Sequence, residues 1–355
     1  MGFSDYYLSV NACPFWVNAL IRKGFPAEIA TSSLPHSNSQ AIRMIDKLDF
    51  ILALAREKHF GRAADACGVT QPTLSAGVKQ LEEQMGVLLV NRGSRFQGFT
   101  PEGERVLDWA RRIVGDTRAM REEINALRHG LTGRLRMAAI PTTLPMVAAL
   151  TTPYRERHPN VQFTIYSRTS IEILDLLENL EIDAGITYLG NEPLGRVSAT
   201  ALYHERYRLL TSADAPLGNR ATVTWAEVAQ VPLCLLTPDM QNRRIIDRLL
   251  RSAGGDPRPT LESDSMILLF SHVRTGRWAS VMPAKLAETL GLTDTLRAIP
   301  ITEPEAVQTI GLVVPAREPM TPLTAALVAE AQRVAPQLDE VERRARPRAA
   351  AIRRG

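Results

Sequence analysis

The chain has 355 residues, 45% of them hydrophobic and 23% charged, with three cysteines and a net charge of +4. That length accommodates two or three domains with full-sized cores, and the composition is that of a globular protein rather than a disordered or fibrous one. Cys13, Cys67 and Cys234 form no CxxC pair, and the six histidines form no HExxH spacing, so no disulfide framework and no metal or other cofactor is expected. Sparse cysteine fits a reducing cytoplasm, and no apolar run approaches a membrane span.

Residues 1–43 mix aromatics with SSLPHSNSQ without sustained periodicity and are expected to be a poorly ordered extension. The apolar run PFWVNALI within them is short, follows no basic segment and precedes no cleavage site, so no export signal is expected. From Met44 the pattern sharpens. Leu48, Ile51, Leu52 and Ala55 predict one helix, and Phe60, Ala63, Ala64 and Cys67 a second. Gly68 and Val69 then turn into a third helix from about Gln71, with Thr70 as N-cap and Pro72 in the first turn. Its apolar stripe is Leu74, Val78, Leu81 and Met85; its other face carries Gln71, Thr73, Ser75, Ala76 and Lys79. Two short helices joined by a Gly-containing turn make a helix-turn-helix. The following GVLLVNRGSRFQGFT reads as a strand, a basic turn and a return strand, which is a wing.

Pro101 to His129 reads as one long helix with Val106, Trp109, Ile113, Met120, Ile124 and Leu127 on one stripe, a pattern suited to pairing with another chain. From Gly133, strands such as RLRMAAIP, VQFTIYSR, IDAGITY, RYRLLTSA, PLCLLT, WASVMP and TIGLVVP alternate with helical segments. Alternation of this kind predicts mostly parallel sheets flanked by helices, here enough for two lobes with a cleft between them. The last residues, 341–355, hold six arginines against one glutamate, so the positive net charge belongs to this basic tail and any DNA-binding argument must rest on local pattern.

The third helix is the candidate reader of a major groove. Gln71 can pair bidentately with adenine, Thr73 and Ser75 can donate or accept, and Lys79 can reach phosphate or guanine, while Arg92 and Arg95 in the wing suit phosphates or a narrow minor groove. In the second half, IPTTLP sets Thr142 and Thr143 just after a strand and at a helix start, where hydroxyls and unpaired N–H groups favour an anion. SRTSIEI offers Ser167, Thr169 and Ser170 in the same relation; LLTPDMQNRR offers Thr237, Gln241 and Asn242, and Asp264 and Ser265 open a further helix. Each of these is equally explained by routine helix capping. No P-loop, nucleophile elbow or paired acid and base marks an enzyme. A competing reading of the whole is a solute-binding or enzymatic α/β domain whose helical front merely oligomerises.

Residues 44 to about 335 resemble the LysR-type transcriptional regulators, through HFGRAADACGVTQPTLSAGVKQLEEQMGVLL, NRGSRFQGFTPEG and the long helix after them. The resemblance implies an α/β protein with an all-α, winged-helix N-terminal domain: a winged helix-turn-helix over 44–100, a linker and dimerisation helix over 101–130, and a two-lobed, periplasmic-binding-protein-like domain over 131–340. Lobe I would span about 131–206 and 307–340, and lobe II about 207–306. It also implies that Thr70, Gln71, Pro72, Thr73, Ser75, Lys79, Arg92 and Arg95 face promoter DNA, that a small effector sits in the cleft, and that the chain forms a homodimer or homotetramer. The DNA-binding half and IPTTLP are similar to the peroxide-sensing branch, whose reactive cysteine would align with Gln241, so no thiolate is available there. Much of the chain also resembles regulators found beside formate dehydrogenase operons, which implies formate or a similar small carboxylate as effector. Two departures stand out: Ala76 and Gly77 replace larger polar residues, and Trp278 replaces a frequent glycine.

Overall fold

The computed structural model describes residues 37–91, 96–190, 192–292 and 294–344, with side chains from Met44 to Asp339. The extension before Ser37, the wing tip with Arg92 and Arg95, and the tail from 345 lie outside these residues. The chain divides into two compact units between Ala110 and Arg111, inside the long helix.

The N-terminal unit opens with α1 (Ser37–Glu57), α2 (Phe60–Ala66) and α3 (Gln71–Met85). The first helix begins at Ser37 rather than at Met44, so helical backbone reaches back into the expected extension. Leu48, Ile51, Leu52, Ala63, Ala64, Leu74, Val78 and Leu81 form the buried centre. His59 caps α2, its Nδ1 accepting from the N–H groups of Gly61 and Arg62 at 3.1 and 3.3 Å. Gly68 makes the turn with φ +67°, a conformation that costs a side chain with Cβ energy.

Two features of α3 depart from expectation. Met85 is 39% exposed, because the helix ends at Gly86 before its last turn reaches the core. Gly77 lies on the inward face, where a Cβ would come within 2.6 Å of the Phe50 ring. Its smallness therefore serves the crossing of α1 and α3. After α3, the buried Glu82 carboxylate accepts from the N–H groups of Leu89 and Val90 at 2.9 and 3.2 Å and anchors the chain into the wing. The described part of the wing is one antiparallel bridge, Val90 to Phe99, rather than two full strands.

The long helix α4 spans Pro101–His129. Leu107, Ala110, Val114 and Ala119 are buried, whereas Trp109, Ile113, Met120, Ile124 and Leu127 are exposed and, at 100° per residue, fall on one face.

The second unit contains β1 (Gly133–Ala139), α5 (Leu144–Arg157), β2 (Val161–Ser167), α6 (Ser170–Glu178), β3 (Ala184–Leu189) and β4 (Val197–Ser212). These are followed by β5 (Val223–Thr224), α7 (Trp225–Val228), β6 (Cys234–Leu236), α8 (Gln241–Ser252), β7 (Leu261–Ser263) and α9 (Met266–Val273). Last come β8 (Ser280–Pro283), α10 (Ala284–Thr289), β9 (Leu296–Thr302), β10 (Val307–Pro315) and α11 (Pro322–Arg344). Helix α11 runs past the boundary expected at 340.

The main sheet has the order β2-β1-β3-β10-β4-β9-β5, with β8 also on β4 and β6-β7 forming a separate pair. β1, β2 and β3 are parallel, as βαβ crossovers require, while β10 runs antiparallel between β3 and β4. The long strand β4 belongs to both lobes. Residues Val197 to Arg206 pair with β10, and from Tyr207 the pairing passes to β8 and β9. In sheets of this kind a ligand is expected outside the carboxyl ends of the parallel strands β1, β2 and β3, where β4 leads into the second lobe.

Candidate DNA-binding surface and effector site

On α3, Thr70 accepts from the N–H of Thr73 at 3.4 Å, and the two hydroxyls are 2.9 Å apart. This cap fixes the helix start, so the first turn projects Gln71, Pro72, Thr73 and Ser75 from the surface, with Lys79 two turns along. All are exposed, and the opposite side is held by Leu74, Val78 and Leu81. Lys79 lies 3.6 Å from Glu83, an exposed pair that exchanges readily for a phosphate. The arrangement is a rigid helix end with short polar side chains foremost.

In the α/β unit the sequence-predicted residues divide. Thr142, in the 3₁₀ turn Pro141–Thr143 after β1, is 2% exposed and its hydroxyl has no partner among the described residues. Ser170, the first residue of α6, is likewise buried with an unpartnered hydroxyl. The structure brings them to adjacent strand ends, since the Arg168 N–H donates to Ala139 O and the Ile140 N–H to Ile186 O. Gln241 and Asn242 open α8 and are also buried; the N-cap Met240 has no side-chain acceptor, so the first N–H groups of α8 remain for other partners. The Asn242 amide reaches across to lobe I and donates to the Tyr188 hydroxyl at 2.9 Å.

The others do local work. Thr143 donates its hydroxyl to Ile140 O at 3.1 Å, and Thr169 forms a capping box with Glu172. Ser167 is exposed because it ends β2, the edge strand of the sheet. Ser265 caps α9, Asp264 is exposed beside it, and Thr237 is half-buried with its N–H donating to Ser263 O. Trp278 packs edge-on against His272, with ring centres 5.4 Å apart, and joins the smaller hydrophobic cluster of lobe II.

Sequence reasoning missed four residues. Thr187 on β3 also has a buried hydroxyl without a partner among the described residues. Tyr188 donates to Glu205 Oε1 at 2.7 Å, and Glu205 is only 1% exposed. Tyr207 lies in the same cluster; burial, and next the Glu205 carboxylate, push both phenols far above their usual range, so they remain hydrogen-bond donors. A signal existed: in LYHERYRLL, Tyr203, Glu205, Tyr207 and Leu209 are in phase, so an acid occupies the buried face of a strand.

Two arginines near the cleft are already committed. Arg243 binds Asp247, Glu262 and the Leu236 carbonyl at 2.6 to 2.7 Å, and Arg244 binds Glu192 across the lobes at 2.7 Å. Cys234 is fully buried, and burial pushes its thiol up to about 11, which makes it unreactive. Cys67 is half-buried and its thiol is also raised, by burial and then by Asp49. Among the described residues no group of three or more His, Cys, Asp or Glu is placed to hold a metal, and no helix is long and apolar enough to cross a membrane.

Residues 128–336 match the LysR substrate binding domain, and residues 45–104 match the bacterial regulatory helix-turn-helix protein of the lysR family. The chain belongs to the LysR family of transcriptional regulators. Among its relatives, this LysR-type regulator is 29% identical to the DNA-binding transcriptional dual regulator OxyR of Escherichia coli, covering 76% of this chain and 88% of that protein. It is 30% identical to the HTH-type transcriptional regulator YnfL of the same species, over 78% of this chain and 93% of YnfL. A full-length OxyR variant from Pseudomonas aeruginosa superposes with a TM-score of 0.65 at 28% identity, covering 82% of this chain and 99% of that one. Full-length CbnR in complex with its target DNA shares the fold, with a TM-score of 0.54 at 20% identity over 82% of this chain and 99% of CbnR. These relatives are regulators and not enzymes, so the helical front is a DNA-binding domain attached to an effector-binding domain, and the oligomerising-enzyme reading is set aside.

Proposed function

We propose that this regulator acts in the cytoplasm, reads promoter DNA through Gln71, Thr73, Ser75 and Lys79 on α3, with Arg92 and Arg95 on the wing, and responds to a small carboxylate such as formate. The carboxylate is held between the carboxyl ends of β1, β2 and β3 and the start of α8. One observation carries the effector reading: among the described residues the buried hydroxyls of Thr142, Ser170 and Thr187, on or just after β1, β2 and β3, lack partners, and Asn242 at the uncapped start of α8 reaches Tyr188 in lobe I. Buried polar groups without partners are costly, and a helix N-terminus favours an anion. With Arg243 and Arg244 engaged elsewhere, the anion is held by hydroxyls and backbone dipoles rather than by a salt bridge. The ligand changes DNA binding because it favours one arrangement of the lobes over another. The exposed face Trp109, Ile113, Met120, Ile124 and Leu127 supports dimerisation through α4, and further pairing of the sensory lobes gives the tetramer.

Fluorescence anisotropy of DNA upstream of the gene, titrated with protein at fixed salt with and without a panel of carboxylates including formate, tests this. Specific binding that Gln71→Ala weakens and that one carboxylate alters supports both parts. Specific binding that no carboxylate alters retains the promoter reading and refutes the carboxylate.

A further inference from the structure

We infer that the junction between α4 and lobe I is a second site, for a small oxyanion, built around Arg317 and separate from the cleft. A cavity of ≈ 60 Å³ opens there, walled by α4 at Gly115, Arg118 and Glu122 and by Arg317 and Thr321 from the segment before α11. A buried water needs roughly 10–15 Å³ on this measure, so the space accommodates several waters or one small oxyanion.

The Arg317 guanidinium lies against the α4 backbone only because residue 115 is glycine. A Cβ there would fall 1.9 Å from Arg317 Nη2. The Arg317 side chain is 17% exposed, yet among the described residues its one charged partner is the exposed Asp116 at 3.8 Å, and it makes no hydrogen bond. A guanidinium has five N–H donors, and those of Arg317 remain open to an acceptor in the cavity. Burial holds Arg317 below the ordinary guanidinium range; Asp116 and Glu122 oppose the shift and Arg118 adds to it.

The other charges compensate this cation only in part. Arg136 is matched by Asp183, at 2.8 and 3.3 Å, and by the Leu180 carbonyl, so that pair is closed on itself. Arg118 donates to Leu180 O at 3.1 Å and adds a second positive charge. Glu122 hydrogen-bonds Thr321; burial raises its carboxyl above the usual range despite the nearby arginines, and its charge favours the Arg317 cation. Thr321 also caps α11, a 23-residue helix whose positive end faces the same space. Two guanidinium groups and a helix terminus converge there, which is the chemistry of a carboxylate or phosphate site. An oxyanion bridging Arg317 and Arg118 ties α4 to lobe I.

The test is isothermal titration of the full-length protein with inorganic phosphate, replacing chloride at constant ionic strength. Saturable phosphate binding is expected, lost in Arg317→Gln and in Gly115→Ala, which displaces the guanidinium, and retained in Thr142→Val in the cleft. Glu122→Gln, which removes a negative charge from the wall, tightens binding about tenfold. Absence of saturable binding overturns the inference. So does binding that survives both Arg317→Gln and Gly115→Ala, or that is not tightened by Glu122→Gln, a variant that keeps the test open should Arg317→Gln fail to fold.

Discussion

The hydrogen bonds of Tyr188, to Glu205 within lobe I and from Asn242 of lobe II, give a quantitative test of how this buried network is held. Tyr188→Phe removes one hydroxyl from a 1% exposed side chain that donates to Glu205 at 2.7 Å and accepts from Asn242 at 2.9 Å. The bond to the amide is worth about 1 kcal/mol net and the bond to a carboxylate about 1.5–3, so the substitution costs about 3 kcal/mol. For a unit of this size each kcal/mol moves the midpoint by about 2–4 °C, which predicts a fall of about 6–12 °C in the α/β transition by scanning calorimetry. In a Glu205→Gln background the acceptor is neutral and the same substitution costs about 2 kcal/mol, leaving a coupling of about 1 kcal/mol in the double-mutant cycle. Additivity to within about 0.5 kcal/mol would refute the reasoning, because the two side chains would then not share a charge-assisted bond.

Other consequences are simpler to read. A Cβ at residue 103 would lie 2.0 Å from the Leu89 carbonyl oxygen, so Gly103→Ala forces backbone apart and lowers the stability of the N-terminal unit by about 2 kcal/mol or more, visible as an earlier thermal transition and weaker DNA binding. Glu122 has its carboxyl raised by burial, so the fold favours its protonated form; its favourable contribution is complete below the ordinary value of 4.5 and is lost as pH rises through the raised one. Glu122→Gln therefore raises the thermal midpoint at pH 7, with the advantage shrinking to nothing below pH 4.5; an advantage that grows in acid contradicts this. Lys79→Ala weakens binding to all DNA sequences alike and lowers the slope of log affinity against log salt by about 1, measured by anisotropy over a salt series. Placing charges on the exposed face of α4, as in Ile113→Glu with Ile124→Glu, shifts the protein to monomer in sedimentation velocity, and retention of the oligomer would remove α4 from the interface.

Local sequence determined the N-terminal unit almost entirely. Thr70, Pro72 and the apolar spacing of α3 act over one or two turns, so the start of the recognition helix and the outward direction of Gln71, Thr73, Ser75 and Lys79 are legible without the rest of the chain. The same holds for α4, which begins at Pro101 and ends at His129 as periodicity indicates. Where a contact depends on a distant element, the adjacent residues do not reveal its cause. Gly77 is small for Phe50 and Gly115 for Arg317. Hydroxyls at strand ends looked alike in the sequence; only their neighbours separate Thr143 and Thr169, which satisfy themselves locally, from Thr142 and Ser170, which do not. Glu205 joined a buried hydrogen-bonded cluster only when β4 set it against Tyr188, 17 residues away in sequence, with Asn242 added 54 residues from Tyr188. Capping and periodicity are short-range and written in adjacent residues, whereas burial and charge pairing depend on which segments meet, and that is decided by the order of strands around β4.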